Sequence, residues 1–203
     1  MCRKVRETSQ LTKQMSKQYK VNEIFYSLQG EGYFTGTPAV FVRLSGCNRH
    51  CSFCDTDFSA HTLMSADEIA YIAAKYPARH LVLTGGEPAL QADDELINAL
   101  HDKEFFISVE TNGSLPLPAS IDWITCSPKD KPWHLTVVDE LKVLYEPGKD
   151  VESIASSFSP THLFLQPCTY ADGSSSTEAT IEYILSHPHW RLSLQTHKLL
   201  NIR

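Results

Sequence analysis

Cys47, Cys51 and Cys54 fall within the run Cys47-Asn48-Arg49-His50-Cys51-Ser52-Phe53-Cys54, a CxxxCxxC spacing. Thiolates this close together can share one inorganic centre, and the sequence offers no fourth cysteine beside them. A 4Fe-4S cluster held in this way keeps one iron without a protein ligand, and an open metal position is where chemistry can happen. The competing reading is a structural zinc site completed by His50. Zinc sites of that kind usually draw on two separated ligand pairs, and no second Cys/His pair lies near. Phe53, inside the motif, is either local packing for the loop or a flat surface for an adenine-like ring.

A second candidate is Thr84-Gly85-Gly86-Glu87-Pro88. Two glycines let the backbone approach a ligand closely, and Pro88 stiffens the exit toward a helix. In isolation such a segment is an ordinary strand-to-helix turn. Further polar clusters follow at Glu110-Thr111-Asn112-Gly113, Ser127-Pro128-Lys129, Gln166-Pro167 and Gln195-Thr196-His197-Lys198.

The elements that must position these residues are short apolar, β-branched runs alternating with helical patterns. Strands are expected at Ala39–Leu44, His80–Leu83, Phe105–Val109, Ile121–Thr125, Leu141–Tyr145, His162–Leu165 and Trp190–Leu194. Ser65-Ala66-Asp67-Glu68 reads as a capping box that opens a helix through about Tyr76. Leu90–His101 and Thr177–Leu185 space apolar residues helically, and Lys149–Ser157 does so more weakly. This alternation predicts an α/β chain with parallel strands and crossover helices. Six of the strands are followed directly by an unusual polar tail. Loops after parallel strands gather on one face, so the tails are expected to form one active-site mouth.

The chain has 203 residues, room for a single domain with a real core. A formal net charge of −6 argues against non-specific nucleic-acid binding. Arg3, Lys4, Arg6, Lys13, Lys17 and Lys20 face only Glu7 in residues 1–20, which are expected to be a loose, solvated extension to a domain spanning 21–203. No apolar run follows those charges as a signal peptide requires, and none is long enough to span a membrane, so a cytoplasmic location is expected. Cys2, Cys126 and Cys168 are scattered and read as a tail thiol and two small buried hydrophobes.

From about Val21 onward the chain resembles the radical S-adenosylmethionine (SAM) superfamily and, within it, the 7-carboxy-7-deazaguanine synthase family. The cysteine motif and Gly85-Gly86-Glu87-Pro88 carry the superfamily likeness. The narrower likeness rests on Ser27-Leu28-Gln29-Gly30-Glu31-Gly32, Thr35-Gly36, Phe41-Val42-Arg43-Leu44, Cys54-Asp55-Thr56, Ser127-Pro128-Lys129, Leu165-Gln166-Pro167 and Gln195-Thr196-His197-Lys198. The resemblance implies a small, incomplete (β/α) TIM-like barrel of the radical SAM type, paired as a homodimer. The implied reaction turns 6-carboxy-5,6,7,8-tetrahydropterin into 7-carboxy-7-deazaguanine with loss of ammonia, a step toward queuosine and other 7-deazapurines. A 5′-deoxyadenosyl radical takes the C6 hydrogen, the ring contracts, and SAM is regenerated. Flavodoxin or ferredoxin would be the electron donor.

The resemblance also implies roles for individual residues. Cys47, Cys51 and Cys54 would hold the 4Fe-4S cluster. Phe53, Gly86, Glu110, Asn112, Ser127, Pro128, Lys129, Gln166 and Pro167 would bind SAM. Leu28, Gln29, Gly30, Glu31, Arg43, Thr84 and His197 would bind the pterin. Arg43 suits a carboxylate because its planar fork pairs two oxygens at once. His197 either touches substrate or caps the last strand. Thr56 would supply a hydroxyl to Mg2+, a hard ion that takes oxygen ligands, although in a turn it also reads as a capping residue. Some relatives carry a longer insertion where only eight residues separate Thr56 from Ser65. The nearest rival is a radical SAM activase that makes a glycyl radical on another protein. It would share the cysteine and glycine motifs but would not need Arg43 or Gln29–Glu31. A non-enzymatic zinc module is the rival from a different class.

Overall fold

The computed structural model describes residues 16–203 except 52, 53, 55, 56, 58 and 171. Phe53, Thr56, Cys2 and most of the basic extension therefore lie outside the described residues. The strands are β1 (Tyr19–Leu28), β2 (Pro38–Leu44), β3 (Thr62–Met64), β4 (His80–Gly85), β5 (Phe106–Thr111), β6 (Trp123–Cys126), β7 (Val137–Tyr145), β8 (Ser159–Pro167) and β9 (Arg191–Leu192). The helices are α1 (Ala66–Ala73), α2 (Asp94–His101), α3 (Val151–Ala155), α4 (Thr177–Ser186) and α5 (Thr196–Leu200).

One sheet runs in the order β3-β1-β2-β4-β5-β6-β7-β8-β9. From β2 to β9 every neighbouring pair is parallel, while β1 pairs antiparallel with both β2 and β3. The first and last strands of that order do not pair, so the (β/α) barrel stays incomplete. All seven strands expected from the apolar runs are present. β1 and β3 were not expected, because Lys20, Asn22, Glu23 and Ser27 break up the apolar pattern of β1. α5 replaces the loop expected at Thr196–Lys198.

Strand periodicity sorts the side chains onto two faces. Val40, Val42, Leu81, Leu83, Ile107 and Val109 are fully buried on the outer face, with Ile69, Leu96, Ile97 and Leu100 of α1 and α2 in the same core. Leu141, Val143 and Leu165 form a second outer core with Val151 and Trp190. α1 is anchored by the expected capping box: Ser65 Oγ accepts from Glu68 N, and the Glu68 carboxylate accepts from Ser65 N. Such caps contribute about 1 kcal/mol each.

The inner face is different. Register aligns Arg43 with Thr84, Ser108 with Trp123, Glu110 with Thr125, Thr125 with Glu140, and Lys142 with Phe164. Toward the N-terminal ends of the strands this face is aromatic. There Tyr33 and Phe34, from the loop between β1 and β2, pack on the strands. Tyr33 lies 4.9 Å from Trp123 and 4.5 Å from His162, centroid to centroid, and Phe34 lies 4.6 Å from His80 and 4.8 Å from Trp123. Gly32 N–H donates to Ser193 Oγ at 3.0 Å, and Tyr33 N–H donates to Glu140 at 3.0 Å. The loop thus forms a floor across the barrel. Gly32 permits this with φ +66°, in space where a Cβ would stand 2.0 Å from Glu140 Oε1.

Candidate active site

The strand-end tails converge as expected. A cavity of about 420 Å³ is lined by Cys47, Cys51 and Cys54, by Thr84 and Gly86 at the end of β4, by Glu110 and Asn112 at the end of β5, by Ser127 and Lys129 after β6, and by Gln166 and Pro167 at the end of β8. Gln195 and Lys198 reach it from the start of α5. Pro128 is buried and does not line it. The thiol of Cys168 does line it, contrary to the expectation of a small core residue, whereas Cys126 is fully buried as expected.

The cysteine loop is fastened to its neighbours. Ser45 N–H donates to Lys20 O at 2.8 Å, and Ser45 Oγ donates to Ala60 O at 3.0 Å, which closes the base of the loop. Asn48 Nδ2 donates to Ser114 Oγ at 2.8 Å, and Asn112 Nδ2 donates to Asn48 Oδ1 at 3.0 Å. Arg49 Nη2 donates to Asp130 O at 2.8 Å, while among the described residues the buried Arg49 Nε has no hydrogen-bond partner.

The two glycines serve this fastening more than a ligand. Gly85 has φ +133°, and a Cβ there would lie 2.0 Å from Leu44 O. A Cβ on Gly86 would lie 2.1 Å from Gly46 O and 2.9 Å from Cys47 Cβ. Close approach of one backbone to the next is what demands glycine. Glu87 completes the junction: its carboxylate accepts from Ala89 N–H, Thr111 Oγ1 and Asn112 N–H at 3.0, 2.7 and 2.8 Å. Burial raises its pKa, and those bonds oppose the rise.

The donor set suits an iron–sulfur cluster. Three thiols face one cavity, and the Arg49 N–H donates to Cys47 Sγ at 3.4 Å. Burial raises the Cys47 thiol, and Glu87, Cys51 and Cys54 push it the same way, so a bound metal would favour its thiolate. Among the described residues, no three His, Cys, Asp or Glu side chains converge on a single metal ion. A cubane asks for something else, because each thiolate takes a different iron.

A second cavity of about 210 Å³ adjoins the first. It is lined by Leu28, Gln29, Gly30, Glu31, Arg43, Thr84 and His197, together with the stacked rings of Phe25 and Phe41. Every residue expected to hold the pterin is therefore on one wall or another of a single pocket. Glu31, Thr84, Gly85, Glu110 and Gln195 line both cavities. Arg43 Nε donates to Glu23 at 2.9 Å, and Arg203 also pairs with Glu23. His197 belongs to α5 and packs over Gly30, where a Cβ would meet its Nδ1 at 2.2 Å. Thr196 N–H and Oγ1 both donate to Gly30 O at 2.9 Å, which ties α5 to the β1–β2 loop.

Residues 41–125 match the Radical SAM superfamily. The 7-carboxy-7-deazaguanine synthase of Bacteroides thetaiotaomicron is 56% identical over 91% of this chain and 98% of that protein. The chain belongs to the 7-carboxy-7-deazaguanine synthase family. The family's enzyme from Burkholderia multivorans is 43% identical over 91% of this chain and 99% of its own length. In three dimensions the chain is similar to the crystal structure of QueE from Escherichia coli, with a TM-score of 0.73 and 29% identity, covering 87% of this chain and 93% of that one. Membership in this family makes the incomplete barrel a radical SAM fold.

Lys142 was not foreseen. It is 3% exposed, and its Nζ donates to Glu31 at 2.6 Å and to Glu110 at 2.9 Å. Burial works to raise both carboxyl groups. For Glu31 the Lys142 charge and the Lys142 and Gln195 hydrogen bonds prevail, holding it at about 2. For Glu110 burial prevails, aided by the charges of Glu31 and Glu140, and lifts it to about 7. Gln195, which the sequence offers only within the terminal Gln-Thr-His-Lys motif, donates to Glu31 at 2.8 Å. A signal for Lys142 did exist. Glu140 and Lys142 alternate with Leu141 and Val143, and a charged face is unusual on a parallel strand, which is normally apolar on both sides.

Proposed function

We propose that the protein converts 6-carboxy-5,6,7,8-tetrahydropterin to 7-carboxy-7-deazaguanine with loss of ammonia, in the biosynthesis of queuosine-type 7-deazapurines. The observation that carries this reading is the pair of adjoining cavities, one bearing the thiols and the other bearing all seven residues assigned to the pterin. When bound, the 4Fe-4S cluster and SAM supply a 5′-deoxyadenosyl radical, the reagent that takes the hydrogen from pterin C6.

The chain's residues bind, orient and shield. Cys47, Cys51 and Cys54 hold the cluster. Asn112, Ser127, Lys129 and Gln166 give the first cavity a polar lining for SAM, with Pro167 beside them and Pro128 as buried support behind. Gly86 keeps the wall beside Cys47 thin enough for a ligand to approach. In the second cavity Arg43 turns its fork to the substrate carboxylate, and Glu23 steadies its Nε. Gln29 and Glu31 offer acceptors to the N–H donors of the pterin edge. Thr84 adds a hydroxyl, Leu28 and Gly30 shape the wall, and His197 closes it from α5. Below, the Tyr33–Phe34 floor keeps water from entering through the barrel.

Three finer parts of the reading rest on the family likeness. Mg2+ is assigned to Thr56 and substrate oxygens, with Phe53 against the adenine of SAM. The electron comes from flavodoxin or ferredoxin. The working unit is a homodimer. Among the described residues no helix is long and apolar enough to cross a membrane.

The test is turnover. Protein reconstituted without oxygen, then given SAM, a reductant and the carboxypterin, is expected to release 7-carboxy-7-deazaguanine and ammonia. SAM cleavage without that product would transfer support to the glycyl-radical activase, and one zinc with no iron would end the radical reading. Thr56→Ala is expected to lower turnover and blunt its response to added Mg2+; equal activation of the wild type and the variant by Mg2+ would remove Thr56 from the metal site.

A further inference from the structure

Lys142 stands where the two cavities meet. It lines the first, while its partners Glu31 and Glu110 line both. The other oxygens of those carboxylates are held as well. Gln195 Nε2 donates to Glu31 Oε1 at 2.8 Å, and Gln29 Nε2 donates to Glu110 Oε1 at 3.2 Å. A carboxylate has about four acceptor sites, so each group keeps lone pairs for a ligand while being fixed from two sides. We infer that Lys142 is a positioning residue: it locks Glu31 and Glu110 into one rigid acceptor pair on the wall shared by the two cavities. In doing so it sets the preference for a substrate edge rich in N–H donors. This inference rests on the functional reading above.

The alternative without Lys142 shows why. Glu31 comes from the β1–β2 loop, Glu110 from β5 and Glu140 from β7 itself, and all three carboxylates act on the Lys142 charge. Among the described residues Glu140 Oε1 is buried with no hydrogen-bond partner, while Oε2 accepts from Tyr33 N–H, and the Lys142 charge favours its ionised form. Lys129 after β6 and His197 of α5 act on this group as well, the first on Lys142 and the second on Glu31. Carboxylates this close and this buried do not all ionise without a cation. Without Lys142 the proton on the pair would persist to higher pH and keep one acceptor as a donor that faces the N–H groups of the substrate. A buried ion pair is by itself weak evidence of stability, and often an apolar replacement serves as well. Here both anions open onto ligand cavities, which a purely structural pair would not need.

The experiment uses the reconstituted enzyme with Lys142→Gln and Lys142→Arg, measuring iron content, kcat, KM for the carboxypterin, and the pH profile of kcat/KM. Lys142→Gln is expected to raise KM about tenfold or more with a smaller change in kcat, the signature of lost substrate binding. The acid limb of its profile moves to higher pH, and iron content stays at the wild-type level. Lys142→Arg keeps the cation and is expected to return the limb toward wild type. Should Lys142→Gln be insoluble, Lys142→Gln combined with Glu140→Gln removes one buried charge of each sign, and the same rise in KM is expected.

Wild-type KM and an unmoved limb in an iron-loaded variant would overturn the inference. So would a loss shared equally by the Gln and Arg variants and matched by loss of iron, which marks a merely structural role. Wild-type protein that makes no deazaguanine acid fails the functional reading instead, and is told apart by that control.

Discussion

Phe106 and Glu110 stand on the same face of β5, and His162 and Gln166 on the same face of β8, yet they belong to opposite ends of the barrel. At the N-terminal end the inner residues are aromatic and closed over by Tyr33 and Phe34. At the C-terminal end they are charged or amide-bearing and open onto two cavities. The loop between β1 and β2 serves both. Tyr33 and Phe34 make the floor, and Gln29, Gly30 and Glu31, a few residues earlier, line the site. Packing at one end thereby holds the acceptors at the other.

Cys51→Ala should have the largest effect: loss of iron and of all turnover, read by metal analysis and product assay, with the fold kept. Retained iron at the wild-type ratio would dissociate the cavity from the cluster. Gly86→Ala should come next. Its Cβ meets backbone of the cysteine loop, so stability should fall by about 1–3 kcal/mol, as overpacking does, and cluster loading should fall with it. Denaturant unfolding and iron content would measure both, and normal loading would show that the junction yields easily.

Phe34→Ala tests the other end. It should cost about 2 kcal/mol by denaturant unfolding, below the value for a fully buried Phe because the ring is half-buried. Iron loading should be unaffected, since no cavity residue is removed; a drop matching that of Gly86→Ala would erase the distinction between the ends.

The smallest expected effect is on pH. Glu31, held at about 2, contributes stability that is complete above its ordinary 4.5 and is lost as pH falls toward 2. Glu110, lifted to about 7, has the opposite sign: ionising it costs stability, and the cost grows as pH rises from 4.5 through 7. Glu110→Gln should therefore remove a fall in Tm between pH 5 and pH 8, read by thermal unfolding at the two pH values. The same fall in both proteins would place its source elsewhere, whereas Phe34→Ala should leave it unchanged.

Much of the fold and site was legible in the sequence because the relevant signals are local. Apolar runs marked seven strands, and the capping box at Ser65 marked the start of α1. The thiols, the paired glycines and the polar tails sat directly after strands, where parallel topology gathers them. β1 was missed because it is an edge-side antiparallel strand with polar residues on both faces. α5 was missed because Thr196–Leu200 is short and carries no buried residue. The sequence marks the paired glycines as places of close approach, but not that Leu44 and Gly46 are the backbone they approach.

Sequence alone determined the chemistry available: three thiolates at cluster spacing, an Arg suited to a carboxylate, and the order of tails that belongs to this family. Those properties reside in residue types and short spacings, which survive any arrangement of the chain. Tertiary structure decided that the residues assigned to the pterin share one pocket, that the pocket adjoins the thiols, and that Lys142 joins Glu31 to Glu110 across the boundary. Lys142 lies 111 residues from Glu31 and 32 from Glu110. No local pattern relates groups so far apart; only strand register and the return of the β1–β2 loop into the barrel bring them within a hydrogen bond.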